Sequence, residues 1–208
     1  IPPGISIDQA LSVLEEEAKR ILPPGYVIDY AGESRQLRKE QNALTGTLIL
    51  ASFLIFLVLA SQFESFRDPF IILLCVPMSI FGALFPLWLG LATINIYTQI
   101  GLITLIGLIS KHGILMVDFA NRLQVNEGLD RQLAIEKAAE IRLRPILMTT
   151  AAMIAGLLPL LIAQGAGARS RFDIGIVIVA GLFIGTFFTL YIVPTFYTLI
   201  AKNPSMKI

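Results

Sequence analysis

Five stretches, at residues 43–60, 70–92, 96–117, 145–163 and 174–200, are apolar around their whole circumference. Crossing about 30 Å of hydrocarbon takes roughly 20 helical residues. The first stretch only just reaches that length, and the last is long enough to tilt or to project beyond the bilayer. A buried helix of a soluble domain can imitate one such segment, but not five in a chain of 208 residues. The pattern predicts an all-α membrane protein with five transmembrane helices over 43–208, behind a polar tail over 1–42.

The charge balance agrees. Charged residues make up 15% of the chain, where soluble domains average about 25%. The net charge of +1 comes with no basic stripe, which argues against a nucleic-acid partner. The single cysteine, Cys75, lies inside an apolar run and reads as a small buried helix residue. With no second cysteine and no Cys/His ligand spacing, neither an internal disulfide nor a metal site is expected. No cofactor is implied.

Orientation follows from Lys and Arg in the connections, which collect on the cytoplasmic side. Arg67, Arg122, Arg131, Lys137, Arg142, Arg144, Lys202 and Lys207 fall on one side of the membrane, and Arg169 and Arg171 on the other. That places the C-terminus in the cytoplasm and the first forty or so residues outside. Basic residues of the tail are discounted, because long external segments translocate regardless of charge.

The tail reads as a helix and then a strand. Ser6 with Gln9 has capping-box spacing, Leu11, Leu14, Ala18 and Leu22 form a helical stripe, and Pro23-Pro24-Gly25 ends it. Tyr26 to Tyr30 has strand composition. One helix and one unpaired strand bury no core, so the tail is expected to complete a domain supplied elsewhere. An opening of Ile1-Pro2-Pro3-Gly4, without an initiating methionine or signal peptide, is read as a break inside a longer polypeptide.

Between the third and fourth stretches, residues 129–142 place Leu129, Leu133, Ala134, Ala138 and Ile141 on one side. An amphipathic helix on the cytoplasmic membrane surface is the expectation; a helix packed on a neighbouring soluble domain is the alternative. Gly181 and Gly185 have the small-xxx-small spacing of close helix packing. Pro77, Pro86 and Pro159 interrupt spans.

Lys111 carries the chemistry. A lysine near the centre of a span costs about 2.5–3.5 kcal/mol on insertion scales, and such residues line pathways or proton relays. Thr104, Gly107 and Asp118 share its side of the helix. Asp118 lies roughly 10 Å along the axis, too far for an easy direct pair. No other span holds an acidic residue in its middle, so the counter-charge is expected from another membrane half. The plainer alternative is snorkelling to the interface. His112 reads either as a second titrating group or as a structural histidine. Arg142 and Arg144 precede the fourth span as cytoplasmic anchors, with Pro145 suited to a first helical turn. Thr149 and Thr150 can bond their own backbone or bridge to a buried charge. Ser110 and Lys111 do not make an intramembrane hydrolase, since helix neighbours point about 100° apart.

Residues 100–119, IGLITLIGLISKHGILMVDF, and 142–150, RLRPILMTT, resemble spans of resistance-nodulation-division (RND) efflux permeases of the hydrophobe/amphiphile, AcrB-like family. Phe63-Glu64-Ser65, Pro69-Phe70, Gly165-Ala166-Gly167 and Val193-Pro194 match in order as well, so the resemblance covers nearly the whole chain. It implies a proton/drug antiporter of a tripartite system in the bacterial inner membrane, powered by the proton motive force. This chain would be the C-terminal part, spans eight to twelve of twelve, with its tail ending a periplasmic porter subdomain. The implied partners are the remaining N-terminal part of the permease, two further copies in a homotrimer, a periplasmic adaptor, an outer-membrane channel, the lipid bilayer and amphiphilic drugs. The resemblance also implies that Lys111, Arg142 and Thr149 belong to a proton relay completed by two aspartates outside this chain. His112 stands where many members have asparagine. Another branch of the superfamily exporting metal, or a non-transporting scaffold in which Lys111 is structural, are the competing readings.

Overall fold

A computed structural model of the chain describes residues 7–23, 25–32, 34, 35, 38 and 43–201. Ser6, Pro24, Lys202 and Lys207, which entered the reading above, lie outside these residues. The helices are α1 (Ile7–Ile21), α2 (Ala43–Phe63), α3 (Arg67–Leu73), α4 (Cys75–Trp88), α5 (Ile96–Glu127), α6 (Arg131–Leu161) and α7 (Ala168–Ile200). Five segments are long and apolar enough to cross a membrane: Gly46–Phe63 of α2, Arg67–Trp88 through α3 and α4, and the whole of α5, α6 and α7.

The second span is broken at Leu74. Pro77 explains the position, because it has no N–H to donate to the carbonyl of Leu73, four residues back. Three residues separate α2 from α3, and the middle of the turn is tightened by the Arg67 backbone N–H donating to Ser65 Oγ at 3.2 Å.

The connection between the third and fourth spans differs from the expectation. The third span continues to Glu127, and after a turn at 128–130 a single helix runs from Arg131 to Leu161, through Pro145. Residues 131–142 are thus the first part of α6 rather than a helix of their own, and Pro145 is interior to α6 rather than in its first turn. The amphipathic stretch finds its apolar partner within the bundle. Ala134, Ile135 and Ala138 are wholly buried in the cluster that holds Met116, Leu123 and Tyr197, while Leu133 and Ile141 of the expected stripe stay exposed. Gly128, at φ 66°, takes the left-handed conformation that ends α5 and reverses the chain.

At the centre α7 packs against α4, α5 and α6. Small residues bring the backbones together, as the Gly181 and Gly185 spacing predicted. A Cβ on Gly181 would collide with Leu105, and one on Gly185 with Ser79. On the facing helix, a Cβ on Gly82 would stand 2.6 Å from that of Ile184. By contrast, only 6% of the α2 span and 11% of the α6 span are buried, against 56% for α5. Those two helices leave most of their surface for lipid or for protein outside this chain.

In the tail, α1 is tied to the segment behind it through Glu15. Its carboxylate accepts from the Tyr30 hydroxyl at 2.6 Å and from Arg38 Nε at 2.7 Å. Residues 26–30, read as a strand, are in neither a helix nor a ladder among the described residues.

Candidate functional site

Helix α5 has two faces of opposite character. Leu105, Ile109, His112, Met116 and Ala120 are buried inside the bundle. Thr104, Gly107, Lys111 and Arg122 are exposed. These faces arise from the helical repeat: neighbours differ by about 100°, so a polar pair such as Lys111 and His112 is split between them.

Lys111 stands on the open face with no hydrogen-bond or ion-pair partner among the described residues. Asp118 pairs with Arg122 at 3.0 Å, one turn further on. Beside Lys111, a Cβ built on Gly107 would meet nothing within 4 Å. A shallow groove lined by Gly107, Ser110 and Ile114 of α5 and by Leu54, Val58 and Gln62 of α2 flanks this face. Ser110 is buried and donates to the Ile106 carbonyl at 2.7 Å, which ties its hydroxyl to its own helix.

The other two residues that the resemblance assigns to a relay have partners of their own. Arg142 places its guanidinium 4.5 Å from the centre of the Phe119 ring, about two turns beyond Lys111. Its Nε is buried without a partner. The Thr149 hydroxyl donates to the Ile146 carbonyl at 3.0 Å and is half-buried. No hydrogen bond or ion pair among the described residues joins Lys111, Arg142 and Thr149.

On the closed face the structure gathers polar groups that the sequence left unpartnered. His112 is completely buried, with Nδ1 3.4 Å from Thr186 Oγ1 and Nε2 3.5 Å from Thr150 Oγ1. Thr150 and Thr186 are themselves 3.3 Å apart. Nearer the start of α5, Asn95 closes a capping box with Thr98 and donates its Nδ2 to buried Asp173 of α7 at 2.5 Å. Arg169 stands 3.3 Å from the other Asp173 oxygen. Roughly 13 Å beyond His112, Asn121 donates to Asp68 of α3 at 2.9 Å and accepts from Tyr197 of α7 at 2.5 Å. So α5 is joined to α7 by side-chain hydrogen bonds at three depths. None of these partners is within thirty residues of its α5 counterpart in sequence, which is why spacing alone did not reveal them. One signal was available: His112 falls on the apolar stripe of its helix, where a polar group has to be paired.

The fold and this division of polar groups define a multi-pass membrane protein with one closed helix packing and one open, cationic face. Comparison with known proteins carries this further. The model of the AcrB/AcrD/AcrF family matches residues 1–201. An uncharacterized transporter of Haemophilus influenzae is 57% identical over 207 residues, covering 97% of this chain and 20% of that protein. The toluene efflux pump membrane transporter TtgE of Pseudomonas putida is 37% identical over 201 residues, 96% of this chain and 19% of its own length. The multidrug export protein AcrF of Escherichia coli is 36% identical over 200 residues, again 96% and 19%. The chain belongs to the AcrB/AcrD/AcrF family of RND permeases, matching a C-terminal portion of them. By name these relatives are transporters and export proteins rather than enzymes. The chain spans about a fifth of the length of these relatives.

Proposed function

We propose that this chain supplies the C-terminal membrane half of a proton-driven efflux permease, in which Lys111 is the cation of the intramembrane proton relay. Arg142 and Thr149 serve the same relay, and the carboxylates opposite Lys111 come from the other membrane half of the permease. The observation that carries this reading is the open placement of Lys111. A charge inside hydrocarbon costs several kcal/mol unless it is paired or reaches water, and among the described residues the carboxylates on or bonded to α5 have other partners: Asp118 with Arg122, Glu127 with Lys137, Asp68 with Asn121 and Asp173 with Asn95. Gly107, one turn before Lys111, leaves room for another helix to approach closely.

Protons would then move on and off the partner carboxylates. Deprotonated, they hold Lys111 by charge; protonated, they release it, and α5 settles differently against the opposing half. A ligand or proton shifts such an equilibrium only by its differential affinity for the two states, and this re-pairing supplies the difference. The names of the relatives, a toluene efflux pump and a multidrug export protein, support amphiphilic organic substrates. The same likeness supports a homotrimer working with a periplasmic adaptor and an outer-membrane channel, with the tail over 1–42 in the periplasm and the C-terminus in the cytoplasm.

The test is Lys111→Ala in the full-length permease, assayed by ethidium efflux at matched membrane abundance. Loss of efflux is expected. Efflux at the unsubstituted rate would instead support a structural lysine and a scaffold role.

A further inference from the structure

His112 is adjacent to Lys111 yet points about 100° away from it around α5, and it contacts hydroxyls of both α6 and α7. We infer that His112, Thr150 and Thr186 form a three-helix hydrogen-bond clasp that fixes the rotation of α5 and thereby aims Lys111 at the opposing membrane half. His112 is thus a positioning residue for the relay, and this inference rests on the function proposed for Lys111.

The proton order follows from the donors available. A threonine hydroxyl has one proton, and that of Thr150 goes to the Ile146 carbonyl at 2.9 Å. Thr150 Oγ1 is therefore an acceptor toward His112, so Nε2 carries the ring proton and donates to it. Nδ1 is then an acceptor, and the Thr186 hydroxyl donates to it. Every polar atom of the neutral ring is satisfied, and no carboxylate is present in the cluster to pair with a charged one. The clasp is also set where packing leaves no slack. Ile109 and Met116, on the same face one turn before and after His112, are wholly buried, and a Cβ built on Gly185, beside Thr186, would collide with Ser79 and crowd Ile109.

Geometry makes the link to Lys111. Since the two side chains are about 100° apart on a rigid helix, any roll of α5 that brings Lys111 away from its counter-charge also draws the imidazole away from Thr150 and Thr186. At 3.4 and 3.5 Å these are long hydrogen bonds, with room to shorten or part as the relay cycles. The clasp resists free rolling of α5 alone and passes its movement to α6 and α7.

The experiment compares Thr150 and Thr186 variants of the full-length permease in ethidium efflux, at matched membrane abundance. Valine keeps the shape of threonine without its hydroxyl, and serine keeps the hydroxyl without the methyl group. The clasp predicts that Thr150→Val and Thr186→Val each lower the maximal efflux rate roughly three- to tenfold, the range of single hydrogen bonds between membrane helices. KM for the dye should be unchanged, and the serine variants should stay near the unsubstituted rate. His112→Asn, which retains a donor and an acceptor, should keep more activity than His112→Phe. The reverse order, with valine active and serine impaired, would show that the site only fills space and would overturn the clasp. A displaced pH profile in His112→Asn with both valine variants silent would also overturn it, in favour of a titrating ring. Lys111→Ala runs beside them: if it abolishes efflux while the valine variants transport normally, the clasp fails and the relay reading stands. If Lys111→Ala transports normally, both fall.

Discussion

The hydroxyl of Tyr197 donates to Asn121 Oδ1 at 2.5 Å, and through Asn121 it is connected to Asp68. Three helices, α3, α5 and α7, meet in this chain of groups, and the Tyr197 side chain is wholly buried. Removing the hydroxyl alone leaves Asn121 Oδ1 without its donor, at a cost of about 1–2 kcal/mol. Tyr197→Phe should therefore lower the apparent unfolding temperature of the detergent-solubilised permease. Tyr197→Ala, which also opens a large cavity, should lower it much further, by about 3–5 kcal/mol of stability. An unchanged melting curve for Tyr197→Phe would show that the network contributes no net stability.

Gly185 meets Ser79 where α4 and α7 cross, with Ile109 alongside. A methyl group there overlaps the Ser79 hydroxyl, which is itself held on the Cys75 carbonyl at 3.1 Å. Overpacking of this kind costs about 1–3 kcal/mol. Gly185→Ala should reduce the thermal stability of the permease, and adding Ser79→Gly should recover part of the loss by vacating the contested space. If the double variant is as unstable as the sum of the two singles, the contact is not the cause.

At Gly128 the demand is on the backbone. Its φ of 66° suits glycine and, less well, asparagine. Gly128→Ala should destabilise the turn between α5 and α6 by about 1 kcal/mol, and Gly128→Asn by less. The Lys137–Glu127 pair at 2.6 Å spans the same turn, so amide exchange at 126–131 is a direct local measure. Equal exchange in all three proteins would contradict the assignment.

The spans were legible because a helix in hydrocarbon must be apolar on every side, and that signal is local. Lys111 was legible for the same reason inverted, as a charge where none belongs, and its open side with Thr104 and Gly107 followed from helical spacing. What sequence could not supply was pairing across helices. His112 looked partnerless because Thr150 and Thr186 reach it only through the packing of α6 and α7. The stretch over 129–142 shows another limit. Its amphipathic pattern was real, but periodicity does not say whether an apolar stripe meets lipid or protein, and Ala134, Ile135 and Ala138 meet the bundle. Proline misled in the opposite way at Pro145, which is accommodated inside a continuous helix, while Pro77 marked a true break.

Outside the membrane, the Glu15–Tyr30 contact makes a prediction about pH. The Tyr30 hydroxyl and, after it, Arg38 hold the Glu15 carboxyl below its ordinary value of 4.5 despite partial desolvation. Glu15 in turn raises the Tyr30 phenol above 10.0, because the phenol must keep its proton to donate. A lowered carboxyl stabilises the folded form above its ordinary value and loses that contribution as pH falls through the lowered one. A raised phenol stabilises it below 10.0 and loses that contribution as pH rises through the raised value. Both directions leave the hold of Tyr30 on Glu15 of α1 firm between about pH 4.5 and 10 and weakening on either side. Protection factors of the amides of residues 10–21 in the full-length permease, which correct for the intrinsic pH dependence of exchange, should show this plateau and fall at the acid end. Tyr30→Phe should shrink the acid-side change, because it removes the group that contributes most to the lowered carboxyl. An acid-side change of full size in Tyr30→Phe would mean that another group, not this hydrogen bond, governs how α1 is held.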